Sequence, residues 1–121
     1  MADSDTIFAL ATPPGRSALA VFRISGPSSR SVLDLLTRGN PPLPRLASLR
    51  SLHDPVSGAK LDDAVVTLFV APSSYTGEDL LEISCHGGRG VISAVTAALA
   101  RISGVRPATP GEFTRRAFLA G

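Results

Sequence analysis

Apolar residues recur along the chain with two periods, and the switches between them divide it into strands and helices. Thr6 to Ala11, TIFALA, is β-prone and is followed by Thr12-Pro13-Pro14-Gly15, where two prolines and a glycine predict a turn. Ala18 to Ile24, ALAVFRI, is apolar at nearly every position, which predicts a central strand interrupted by Arg23. Ser25-Gly26-Pro27-Ser28 predicts a helix start with Ser25 or Ser28 as N-cap, because Val32, Leu35 and Leu36 follow at i, i+3, i+4 spacing. Gly39 and the prolines 41, 42 and 44 end that helix. Ala47 to Asp54 alternates weakly and runs into the turn Pro55-Val56-Ser57-Gly58, which predicts an edge strand.

The second half repeats the pattern. Ala64 to Ala71, AVVTLFVA, has the β-branched content of a strand. A loop rich in Ser, Thr and Gly from Pro72 to Gly77 leads to a strand from Asp79 to Cys85. Gly87 and Gly88 open a helix in which Val91, Val95, Ala98, Leu99 and Ile102 recur at helical spacing. A short strand, VRPA, precedes a helix started by Pro110 and Glu112, with Phe113, Ala117 and Phe118 on one face. That last helix spans barely two turns, which predicts a chain cut inside a longer helix or just beyond a domain. The order ββα, βββα, βα predicts an α+β fold, a mixed sheet with helices packed on it, in one domain spanning residues 1 to 121.

Composition adds limits. The chain is 44% apolar and 18% charged, the profile of a globular protein folding in water. Its formal charge of +2 is too small an excess to argue for nucleic acid, and no apolar run reaches the ~20 residues of a membrane span. Asp3 and Asp5 do not fit a signal or transit peptide, and the single cysteine, Cys85, fits a reducing compartment. A cytosolic protein, or an organellar one after trimming, is expected. With His53, His86 and Cys85 as the soft ligands, no zinc site is expected. Neither Gly15 to Ser17 nor His86 to Gly90 is a nucleotide fingerprint, so both read as ordinary turns.

The candidate chemistry lies on two strands. Strand alternation puts Leu81, Ile83 and Cys85 on a core face and Leu80, Glu82, Ser84 and His86 on the other. By the same period Arg23 stands with Leu19 and Val21. A guanidinium needs a carboxylate or an anionic ligand when it leaves water, and Glu82 is the partner at hand. Two readings stand side by side: a structural ion pair at a strand end, or a ligand anchor. Arg101, Arg106, Arg115 and Arg116 form a basic cluster able to meet phosphates, without the aromatic platform that single-stranded nucleic acid would call for.

Three long stretches, DTIFALATPPGRSALAVFRISG, PSSYTGEDLLEISCHGG and RPATPGEFTRRAFLAG, resemble, in collinear order, the N-terminal domain of the tRNA uridine-5-carboxymethylaminomethyl modification GTPases, the MnmE or TrmE family. The resemblance implies a fold like the tetrahydrofolate-binding domains of aminomethyltransferase-type enzymes. It implies homodimerisation and binding of a tetrahydrofolate derivative, 5-formyl- or methylene-tetrahydrofolate, as one-carbon source for the wobble uridine. Arg23, the arginine of RISG, and Glu82, the glutamate before HGG with three residues between, match the family's folate contacts. Ser84, His86, Gly87, Thr76 and Glu78 are further ligand or loop candidates, none of the residues is expected to be catalytic, and no metal is expected in this domain. The family's P-loop GTPase, with its GTP, Mg and K sites, its helical domain and its cysteine motif are absent from these residues, so GTP hydrolysis is not expected of them. A basic folate contact would follow beyond Gly121. The flavin-dependent partner enzyme MnmG (GidA) and tRNA would be met through the longer protein, in the bacterial cytoplasm or in mitochondria, and no membrane is implied. The alternative is an assembly domain contacting tRNA or a partner enzyme with no folate activity of its own.

Overall fold

The computed structural model describes residues 5–12 and 18–121. The expected turn at Pro13-Pro14-Gly15 and the Gly15 to Ser17 segment lie outside the described residues. In chain order the elements are β1 (Thr6–Leu10), β2 (Leu19–Ser25), α1 (Ser29–Leu36), β3 (Ser48–His53), β4 (Lys60–Phe69), β5 (Leu80–His86), α2 (Arg89–Ala100), β6 (Val105–Pro107) and α3 (Glu112–Ala120). The strands form a six-stranded sheet in the order β3-β4-β5-β2-β1-β6. All neighbours are antiparallel except β1 and β6, which run parallel, so the fold is α+β with a mixed sheet.

The apolar run of β2 does mark a central strand, and the weakly alternating β3 does lie at an edge. β6, three residues long and ending in Pro107, closes the other edge, where a residue without an N–H is tolerated. β4 begins four residues earlier than its β-branched content suggests. Its acidic start is stabilised locally: Ser51 Oγ donates to Asp63 at 2.7 Å, and Asp62 accepts the backbone N–H of His86 at 2.8 Å.

One face of the sheet carries the core. Ala20, Phe22 and Ile24 of β2, Leu81, Ile83 and Cys85 of β5, and Ala64, Val66 and Leu68 of β4 are buried with Val32, Leu33 and Leu36 of α1 and Val95 and Leu99 of α2. Strand alternation sends these residues to the helices and leaves the second face without them. Ser25 is not a helix cap. It ends β2, and its Oγ reaches Thr76 at 2.6 Å and Glu78 at 2.9 Å. Ser28 occupies the N-cap position of α1 without a capping side-chain bond, while Ser29 Oγ donates to the carbonyl of Asp79 at 2.9 Å. Gly26 makes this corner feasible: its φ is +140°, and a Cβ there would stand 2.6 Å from the Thr6 Cα.

Candidate functional site

The second face of the sheet is ordered in rows by the strand register. Leu49, Val65, Ser84 and Val21 lie side by side across β3, β4, β5 and β2. The next row holds Thr67, Glu82, Arg23 and Ala9, and the one beyond it Phe69, Leu80, Ser25 and Ile7. The three rows differ in cover. Leu49 is 66% exposed and Val65 41%, whereas Leu80, Ser25 and Ile7 are buried. At Ser25 the cover is Thr76 and Glu78 of the loop before β5, with Arg116 of α3 bonded to Glu78. Leu80 therefore leaves the polar set in which alternation alone would place it, because a second layer covers that end of the face.

Arg23 and Glu82 meet at the boundary between the open and the covered rows. They are register partners, and Arg23 Nε donates to Glu82 Oε2 at 2.8 Å. Both line a cavity of about 870 Å³ bounded by Ala9 and Leu10 of β1, Tyr75 of the loop, and the segment 108–114. The pair is 46% and 31% exposed at its side chains, so it is worth under about 1 kcal/mol to the fold. Such a pair is available to a ligand at little cost in stability.

The other candidates fall elsewhere. Thr76 is buried against Ser25, and Glu78 accepts from Ser25 and from Arg116 Nη1 at 3.0 Å, so both belong to the layer beneath α3. Ser84 is half-buried in the apolar row. His86 and Gly87 stand at the far end of β5. There the His86 Nδ1 lies 2.9 Å from both carboxylate oxygens of Asp62. Burial raises the Asp62 carboxyl, but the hydrogen bonds with the His86 backbone and ring outweigh it and hold the pKa below its ordinary value. Arg23 and Glu82 thus share the cavity, and these five do not line it.

Residues that sequence reasoning did not assign to the site form its outer wall. Thr109, Pro110, Gly111, Glu112, Phe113 and Thr114 line the cavity opposite the sheet, with Tyr75 beside Thr114. Glu112 is buried and accepts from Arg106 Nη1 at 2.9 Å and Nη2 at 2.6 Å, and from the Thr109 N–H at 2.9 Å. The Arg106 guanidinium, more than any other group, lowers the Glu112 carboxyl from its ordinary 4.5 to about 2. The sequence signal was present in the helix-start reading of Pro110 and Glu112, and in the i,i+4 spacing of Glu112 and Arg116, but it does not say that the pair points inward.

The basic cluster is not a free cationic surface. Arg101 pairs with Asp54, Arg106 with Asp5 and Glu112, Arg115 with Glu112, and Arg116 is buried between Glu78 and Glu112. The expected apolar face of α3 is corrected as well: its buried residues are Glu112 and Arg116, and Phe118 is 82% exposed. Among the described residues no group of three or more His, Cys, Asp or Glu is arranged to hold a metal ion, and no helix is long and apolar enough to cross a membrane.

An α+β domain with α1 and α2 on one side of its sheet, and with an ion-paired carboxylate set in a cavity between the other side and the start of α3, is a scaffold suited to a small polar ligand. The family model described as "GTP-binding protein TrmE N-terminus" matches residues 6–121, and the chain belongs to that family. It is 53% identical over 118 residues to the tRNA modification GTPase MnmE of Methylobacterium sp. (strain 4-46), covering 98% of this chain and 27% of that protein. It is 55% identical over 115 residues to MnmE of Caulobacter vibrioides, covering 95% and 25%. The human mitochondrial protein "5-taurinomethyluridine-[tRNA] synthase subunit GTPB3" is 53% identical over 117 residues, covering 96% and 24%. The chain spans about a quarter of the length of these relatives.

Proposed function

We propose that this domain binds a reduced folate, 5-formyl- or methylene-tetrahydrofolate, and homodimerises, as part of a GTPase that modifies the wobble uridine of tRNA. The observation that carries the folate reading is the Arg23–Glu82 pair inside a cavity of about 870 Å³. That volume suits a ligand of folate size, since small-molecule pockets run from roughly 300 to 1,000 Å³. A pterin presents an amidine-like edge of donors, which the Glu82 carboxylate accepts in a bidentate manner. Arg23, with a planar fork of donors, takes a pterin carbonyl or the carboxylates of the glutamate tail. Tyr75 and Phe113 supply flat apolar walls for the aromatic part of such a ligand. When bound, the folate supplies the one-carbon unit; the residues of this chain hold and orient it.

Dimerisation is supported by the band Leu49, Val65 and Val21 on the open sheet face, with Leu19 beside it. The fuller protein's GTP hydrolysis, its flavin-dependent partner, its contact with tRNA, and its cytoplasmic or mitochondrial location belong to the same proposal and rest on family membership.

Calorimetric titration of the chain with 5-formyltetrahydrofolate tests the folate reading. Saturable binding near micromolar, about −8 kcal/mol, is expected, with a loss of at least tenfold in Glu82→Ala and in Arg23→Ala. Because the pair is exposed, both variants are expected to keep the wild-type melting temperature, so a lost signal reports the site and not the fold. Unchanged affinity in both variants would remove these residues from the reading. A folded dimer that takes no folate would favour the assembly role.

A further inference from the structure

α3 reverses the usual arrangement of a surface helix. Such a helix normally turns an apolar stripe inward, yet α3 buries Glu112 and Arg116 and leaves Phe118 and Leu119 exposed. It is held to the body by charge. Glu112, 2% exposed, is the centre of that arrangement. Its carboxylate accepts two hydrogen bonds from Arg106, one from Arg116 Nη2 at 3.3 Å, and two from Thr109, through the N–H at 2.9 Å and Oγ1 at 3.2 Å. A buried ion is costly unless its partners are in place, and a carboxylate satisfied in this way specifies one geometry.

The same residues are the outer wall of the cavity. Thr109, Gly111, Glu112, Phe113 and Thr114 line it, so one carboxylate fixes both the turn that forms the wall and the helix that follows. From Glu112 the polar chain continues through Arg116 to Glu78 and on to Ser25, which stands two residues from Arg23 on the same face of β2. Gly77 lets α3 settle onto the loop at this point, since a Cβ on it would stand 2.7 Å from Ala120 Cβ.

We propose that Glu112 is a positioning residue for the cavity, and that occupancy of the cavity and docking of α3 stabilise one another. The ligand arm of the proposal rests on the folate reading; the positioning role does not. A ligand that touches the wall binds the docked arrangement better than the undocked one. It therefore shifts the population toward the docked arrangement, and docking raises its affinity by the same factor.

Amide hydrogen exchange on the 121-residue chain tests this in two arms. Without ligand, Glu112→Gln is expected to speed exchange of the amides of Thr109 and of Gly111 through Ala120 by about tenfold or more, with β2 and β5 unchanged. Equal exchange in variant and wild type overturns the positioning role, whatever the cavity binds. With saturating 5-formyltetrahydrofolate, the same amides in the wild type are expected to slow by about tenfold or more beyond any change in β4, and the variant's Kd to weaken by about tenfold. A residue that merely holds the fold would lower the melting temperature and leave this ligand-dependent protection untouched. Binding without protection of α3, or an unaltered Kd in the variant, overturns the coupling. A wild-type chain that does not bind counts against the folate reading and leaves the first arm to decide the role of Glu112. Should Glu112→Gln fail to fold, Thr109→Val carries both arms, because it deletes one hydroxyl bond to the carboxylate; smaller changes in the same direction are expected.

Discussion

Arg23, Glu82 and Cys85 show how far one residue's surroundings settle its use. Arg23 and Glu82 contribute little to the fold because solvent reaches both, and their value lies in facing a cavity as a donor and acceptor set. Cys85 lies three residues after Glu82 on β5 and directly after Ser84, and it points the opposite way, into the core, at 1% exposure. Burial pushes its thiol up to about 11, with the nearby Asp62 carboxylate adding to the shift. At pH 8 the reactive thiolate is therefore a minor species and is also out of reach. A thiol reagent such as dithionitrobenzoate is expected to leave Cys85 unmodified in the native chain and to label it stoichiometrically in denaturant. Rapid native labelling would contradict the packing described for β5.

At the scale of elements, α3 responds to acid through Glu112. The folded-state pKa of about 2 lies below the ordinary 4.5, so the stabilisation is fully present above about pH 4.5 and is lost as pH falls toward 2. The shift corresponds to about 3 kcal/mol. Exchange or resonance shifts of the α3 amides are expected to show the helix detaching over that window. Glu112→Gln should lack the acid step attributable to this carboxylate, and an identical profile in the two proteins would show that the carboxylate does not hold the helix. The same element marks the limit of what the sequence discloses. β2 and β5 were legible because alternation is local: Phe22, Ile24, Leu81 and Ile83 are apolar on the buried side, and Arg23 and Glu82 interrupt the pattern on the other. α3 was legible as a helix but not in its orientation. Its burial is decided by Arg106, Glu78 and Asp5, which are distant in sequence or on another element, and no periodicity records those partners. The outer wall of the cavity was missed for the same reason, since Tyr75 and Thr109 are brought to Arg23 only by the way the chain closes over the sheet.

For the whole molecule, the unequal faces of the sheet carry the argument. α1 and α2 cover one face; on the other, α3 and the loop before β5 cover one end, while Leu49 and Val65 stay exposed, with half-buried Val21 in the same row, beside the row of Arg23 and Glu82. Leu49 and Val65 are apolar register partners, Val21 follows beyond Ser84 in the same row, and a second copy is the partner that the proposed dimer puts there. A stable contact of standard size needs roughly 800 Å² from each copy, so the contact must extend past the band to the neighbouring rows and approach the cavity mouth. Leu49→Asp combined with Val65→Asp places two unpaired charges in that contact, while both positions remain solvated in the monomer. Sedimentation is expected to show a dimer for the wild type and a monomer for the double variant. Each substitution alone should change monomer stability by no more than about 0.5 kcal/mol. Since the band adjoins the Arg23–Glu82 row, the monomeric variant is also expected to bind 5-formyltetrahydrofolate more weakly. A double variant that sediments as the wild-type dimer would place the contact on another surface, and a monomeric variant with unchanged affinity would separate the cavity from the dimer interface.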